Sequence, residues 1–184
     1  MKELIILGGA NGSGKTTFSK QILAETGFKF LNADEIEKEL VTSKLQAGKE
    51  FFRRLDDFIA TETSFVLEST LSGNYLIKAI EKAKTKGYVV KIVYVFLENP
   101  QDCIQRIKLR VKLGGHFIPD EDVIRRYYRS KTNFWNTYKN LADDWVMIYN
   151  STTEEPQKVA VGTGDNYVVE LENIFNDFLN NFEQ

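Results

Sequence analysis

The chain has 184 residues, 42% of them apolar and 27% charged, which is the balance of an ordinary globular protein with length enough for one real core. Lysine and arginine number 24 against 26 acidic residues, so a net charge of -2 gives no general attraction to nucleic acid or membranes, and neither is expected as a partner. A single cysteine, Cys103, excludes an internal disulfide, and the first apolar run, Leu4 to Leu7, is too short for a secretion signal or a spanning helix, so a cytoplasmic protein is expected.

Leu4 to Leu7 reads as a buried strand stopped by Gly8-Gly9, followed by a helix from about Lys15 to Thr26 that ends near Gly27. Phe28 to Leu31 predicts a second strand, with a helix starting near Asp34. Lys44 to Thr61 predicts a long helix with Phe51, Phe52, Leu55, Phe58 and Ile59 on its apolar face. Phe65 to Leu67 is a third strand, Asn74 to Lys86 a helix, and Tyr88 to Leu97 a strand rich in β-branched and aromatic residues. Helices follow over Gln101 to Leu113 and Asp120 to Asn140, then a fifth strand over Trp145 to Tyr149. Lys158 to Val161 and Tyr167 to Val169 form a hairpin around Gly162-Thr163-Gly164-Asp165, before a last helix reaching Phe182.

Strands alternating with helices indicate a three-layer α/β fold with a central, mostly parallel five-stranded sheet. No repeat or linker divides the chain, so residues 1–184 are expected to form one domain. Within it, a helical lid covers about 101–140, and a hairpin plus helix about 157–182. Ligands of such sheets bind beyond the carboxyl ends of the strands.

Gly9-Ala10-Asn11-Gly12-Ser13-Gly14-Lys15-Thr16 fits G-x-x-x-x-G-K-[ST] between a predicted strand and a predicted helix, and Gly9 to Thr17 is read as the cradle for the phosphates of ATP or a close relative. The glycines let backbone N–H groups turn inward, and the helix start adds free N–H groups and a positive dipole end. Lys15 is expected to reach the β- and γ-phosphates, and Thr16 to offer its hydroxyl to Mg²⁺.

GTPase patterns such as D-x-x-G and N-K-x-D are absent, and Leu71-Ser72-Gly73 copies only three letters of a transporter-ATPase signature. Tyr94 to Glu98 resembles a Walker B strand with the wrong acid, and reads more simply as a strand end. Transfer of a phosphoryl group to a small acceptor needs a base and cations. Asp34, in Asn32-Ala33-Asp34-Glu35, suits a base and equally suits the first turn of a helix capped by Asn32. Glu68, closing the third strand before Ser69-Thr70, meets substrate hydroxyls, a metal-bound water or plain solvent.

Arg106 and Arg110 share one helix face, and Gly114-Gly115 ends that helix. On the next helix, opened by Pro119, Arg125 and Arg129 lie opposite a stripe of Val123, Tyr127, Phe134 and Tyr138, with Arg126 flanking. Two helices presenting guanidinium groups across a glycine turn read as a lid over phosphates. His116, in that turn, touches phosphate or substrate in this reading. Trp135 and its aromatic neighbours read as packing. Asn150-Ser151-Thr152 marks the region for base recognition.

These residues together resemble the zeta-toxin-like P-loop kinases and their smaller relatives. The resemblance rests on Gly9 to Thr17, Asn32 to Ile36, Phe65 to Gly73, Arg110-Val111 with Gly114-Gly115-His116, Pro119, Arg125-Arg126-Tyr127, Asp144-Trp145 and Tyr149-Asn150-Ser151. It implies a kinase using ATP and Mg²⁺ on a hydroxyl of UDP-N-acetylglucosamine or another small acceptor. Asp34 would be the base, Arg110 with Arg125 or Arg126 the arginines on the phosphates, and Glu68 and Thr70 part of the acceptor tract. An antitoxin protein is the implied partner. The Gly-Gly-His tract departs from the longer toxins. The other reading of the chain is an ATPase or nucleotide-sensing module whose arginine face docks a protein or nucleic acid.

Overall fold

The computed structural model describes residues 1–41, 43–151, 155–180 and 182. The apolar runs become strands β1 (Lys2–Gly8), β2 (Lys29–Leu31), β3 (Phe65–Ser69), β4 (Tyr88–Phe96) and β5 (Asp144–Tyr149), all parallel. The spatial order is β2-β3-β1-β4-β5-β6-β7. The expected hairpin, β6 (Gln157–Thr163) and β7 (Asn166–Val169), joins this sheet by antiparallel pairing of β6 with β5, so the sheet has seven strands rather than five.

Both faces of the sheet are covered, which is why its strands read as unbroken apolar runs. Leu4 and Ile6 of β1 belong to one cluster with Phe65 and Leu67, and Ile5 and Leu7 to another with Val66 and Val95. Helix α1 (Lys15–Thr26) closes the second face through Phe18, Ile22 and Leu23, and stops at Gly27, whose φ of +67° lets its N–H reach Leu23 O at 2.9 Å. Helices α3 (Lys44–Ala60) and α4 (Ile77–Thr85), with a terminal helix α8 (Glu172–Asn180), cover the first. The residue after α8 lies outside the described residues, so the expected run to Phe182 is met only to Asn180. Among the described residues no helix is long and apolar enough to cross a membrane.

Two segments stand on the carboxyl side of the strands. Helix α2 (Ala33–Leu40) follows β2 directly, and α5 (Pro100–Lys112) follows β4, capped by Asn99, whose Oδ1 accepts the Asp102 N–H at 3.0 Å. Helix α6 (Asp120–Asn133) returns beside α5, and Val123 and Tyr127 pack with Cys103, Ile107 and Ala10 in a third cluster next to the glycine loop. The helix expected over Asp120 to Asn140 is not regular. After Asn133 it widens into a π turn, Phe134–Tyr138, before a short α7 (Lys139–Leu141), and the Lys139 N–H bonds back five residues to Phe134 O. Phe134 stacks on Tyr94 with ring centroids 4.1 Å apart, while Trp135 packs edge-on against Trp145 at 6.1 Å.

Candidate active site

The loop from Gly9 to Gly14 leaves β1 and turns into α1, and three of its glycines have positive φ. At Gly12 a Cβ would sit 2.7 Å from the Cys103 carbonyl, and at Gly9 one would collide with the Val95 carbonyl, so the loop lies too close to α5 and β4 for any other residue. Asn150, just past β5, donates from Nδ2 to Ser13 O at 2.8 Å, and Arg106 Nη2 donates to Asn150 O at 2.5 Å. Asn150, in the stretch expected to recognise the base, therefore braces the loop. Ser151 Oγ accepts the Glu98 N–H at 2.7 Å, and Thr152 lies outside the described residues.

Lys15 Nζ donates to Gly9 O at 2.8 Å and Ala10 O at 2.9 Å, folding over the loop. Burial pushes its ammonium down from the ordinary lysine range, against the opposing pull of Glu68, Cys103 and Asp34. Among the described residues the buried Ser13 Oγ has no hydrogen-bond partner, an orphan donor inside the glycine loop. Positive φ glycines, a helix N-terminus, a lysine and an unpartnered hydroxyl form a donor set that fits the phosphates of ATP.

Glu68, 9% exposed at the end of β3, is the hub of a second network. Its Oε1 accepts from Ser19 Oγ at 2.5 Å, and its Oε2 from Asn32 Nδ2 at 2.9 Å and Thr16 Oγ1 at 3.3 Å. Asn32 Oδ1 meanwhile accepts from the Asp34 and Glu35 amides, so one side chain caps α2 and ties it to β3. Burial, then Glu68, pushes the Glu35 carboxyl up. The Thr16 hydroxyl beside the Glu68 carboxylate is an all-oxygen pair suited to Mg²⁺ shared with phosphate.

A cleft of about 460 Å³ runs from this loop to α2, the β3 end and helices α5 and α6. Asp34, exposed on the first turn of α2, lines it and two adjoining cavities, one against His116 and Arg110, the other against His116 and Arg126. Thr70 and Tyr75 form the wall beyond β3. Three arginines line the cleft: Arg106 and Arg110 from α5 and Arg126 from α6. Arg126 Nη1 donates to Asn11 Oδ1 at 3.3 Å, and Arg110 Nη2 to His116 O at 3.2 Å.

Arg125 does not line the cleft. Its Nη2 pairs with Asp122 Oδ1 at 2.6 Å on the exposed side of α6. Arg126 flanks the packed stripe of Val123 and Tyr127 and lines the cleft, whereas Arg125 lies opposite that stripe. Cys103 is buried and its thiol is pushed up to about 12, chiefly by burial, so it is no nucleophile. Sequence pattern assigns Asn32 no site role beyond capping, and none to Ser19 or Tyr75. Asn32 was marked by its position as a cap, and the other two carry no local signal.

Residues 4–132 match the model of the AAA domain family. A Haemophilus influenzae protein described only as uncharacterized is 33% identical over 125 residues, 65% of this chain and 88% of its own length. Among solved structures, the complex AvrRxo1-ORF1:AvrRxo1-ORF2 with ATP aligns with TM-score 0.71 and 16% identity over 97% of this chain. The chain spans 63% of that protein's length. A chain from the PezAT chromosomal toxin-antitoxin system of Streptococcus pneumoniae aligns with TM-score 0.71 and 17% identity, over 100% of this chain and 81% of that one. At these identities the solved structures share the fold.

Proposed function

This chain belongs to the AAA domain family of P-loop proteins, and from that membership we propose that it is a kinase moving the γ-phosphoryl group of ATP onto a hydroxyl of a small acceptor. The observation that carries the reading is the position of Asp34, shared by the phosphate cleft and two adjoining cavities.

Lys15 and the loop amides hold the β- and γ-phosphates, and the Ser13 hydroxyl finds its partner among their oxygens. Thr16 and Glu68 are the residues that would hold Mg²⁺, which would supply positive charge to offset that of the phosphates. Asp34 takes the proton of the acceptor hydroxyl as that oxygen bonds to the γ-phosphorus and the bond to the β-γ bridging oxygen breaks, leaving ADP. Arg110 and Arg126 hold the migrating charge, and His116 and Thr70 border the acceptor. Arg125 has no part in this reading. UDP-N-acetylglucosamine is the acceptor proposed, by resemblance to zeta toxins. The toxin-antitoxin likeness supports an antitoxin protein as partner. A cytoplasmic setting, where ATP is supplied, belongs to the same proposal.

The test is transfer of γ-label to UDP-N-acetylglucosamine and neighbouring nucleotide sugars in the presence of Mg²⁺. Asp34→Asn should cut kcat by at least about a hundredfold while leaving ATP affinity nearly unchanged. Strongly weakened ATP binding in that variant would reassign Asp34 to metal or structure. Label released only as free phosphate, with every acceptor in the panel untouched, would favour a partner-driven ATPase instead.

A further inference from the structure

The segment after β3 is held in an unusual shape. Leu71 has φ +54°, a region bulky side chains rarely occupy, and it is fully buried, filling the space beside Gly8 where a Cβ would strike its Cδ1. Ser69 Oγ accepts the Leu71 N–H at 3.0 Å and also meets Tyr75 Oη at 2.7 Å. Thr70 Oγ1 and Ser72 Oγ lie 2.8 Å apart. The segment thereby presents Thr70 and Tyr75 to the cleft, on the wall that also holds Arg126.

Two contacts from outside fix this backbone, and both come from the ends of the π turn. Asn133 Nδ2 donates to Leu71 O at 2.9 Å, and Tyr138 Oη donates to Gly73 O at 2.5 Å. On a regular α-helix residues five apart point about 140° away from one another. The i→i−5 bonding of the π turn closes that angle and lets both side chains grip one loop. The grip is anchored in the sheet, because Phe134 stacks on Tyr94 and Ser130 Oγ lies 3.1 Å from Tyr94 Oη.

We propose that Asn133 and Tyr138 are positioning residues for the phosphoryl acceptor, holding residues 70–75 in the strained shape that forms the acceptor wall. The proposal rests on the kinase reading above. Neither side chain lines the cleft; each acts through the loop it holds. Helix α6 also carries Arg126, so one rigid element sets the distance between the phosphate-facing arginine and the surface against which the acceptor rests.

Tyr138→Phe keeps the buried ring and removes only the donor, and Asn133→Ala removes the other. Hydrogen exchange of peptides covering 69–76, thermal unfolding, and steady-state kinetics with ATP and UDP-N-acetylglucosamine are measured on the full chain. In each variant exchange in 69–76 should accelerate about tenfold while β4 peptides stay protected. The acceptor KM should rise about five- to tenfold with the ATP KM unmoved. Unchanged exchange in 69–76 overturns the proposal, as does acceleration spread over the whole chain with a matching fall in Tm. A loosened loop with an unmoved acceptor KM also overturns it. If the wild-type protein transfers phosphate to no compound in the panel, the kinase reading fails, and the clamp is still decided by exchange in 69–76.

Discussion

Lys131 is a cation placed among rings. It is 2% exposed, its ammonium 4.6 Å from the Phe178 centroid and 5.6 Å from that of Tyr127, and burial pushes its pKa down from 10.5 to about 8. Because the folded value lies below the unfolded one, the unfolded chain binds more protons between about pH 8 and 10.5. Stability from this group therefore rises with pH through that window, and the penalty is present in full below it. Lys131→Met should stabilise the protein on the order of 2 kcal/mol at pH 7 and flatten the gain between pH 8 and 10, read by urea unfolding at several pH values. An unaltered pH slope would mean that water reaches the amine. At the same scale, the glycine loop and Lys15 were legible because their chemistry is contained in nine consecutive residues. The Glu68 network was not, since its partners Ser19 and Asn32 stand 49 and 36 residues away, and no local pattern links them. Arg126 was legible as flanking a buried stripe, but which side of α6 meets the cleft depends on how that helix docks on α5.

At the scale of elements, periodicity and punctuation located the five parallel strands and most helix limits, because those depend on local runs, on stops such as Gly27 and on starts such as Pro100. Two features depend on tertiary packing and left no trace. One is the pairing of the hairpin onto β5, which needs Trp145 and Tyr167 brought together at 5.7 Å. The other is the π turn, whose sequence, Phe134 to Tyr138, keeps a helical pattern of apolar residues while its backbone widens to reach the β3 loop. Helix α2 shows how an element boundary serves the site. Asn32 caps it and binds Glu68 with the two ends of one amide, so Asn32→Ala removes a cap and a tie between β2, α2 and β3. It should lower stability by about 1–2 kcal/mol, seen as a lower urea midpoint with an unchanged m-value. A midpoint that does not move would place the start of α2 under the control of packing alone.

For the whole molecule, binding at the glycine loop is linked to folding, since the loop exists only where β1, α1, α5 and Asn150 come together. ATP at a hundred times its Kd should add about 2.7 kcal/mol, raising Tm by roughly 5–10 °C for a chain of this size. Lys15→Ala should lose most of that shift in a thermal scan with Mg²⁺ and ATP, and a variant that kept all of it would remove Lys15 from the phosphate site. The sheet that gathers these parts ends in two short strands, β2 with three residues and β7 with four. Few unpaired backbone groups are thus offered at either border, too few to template a further strand from another chain. A macromolecule that recognises this protein would therefore read its side chains, among which Val41, Leu113 and Phe117 stand exposed. The same truncation of its borders keeps copies of the chain from zipping into one another while the sheet assembles.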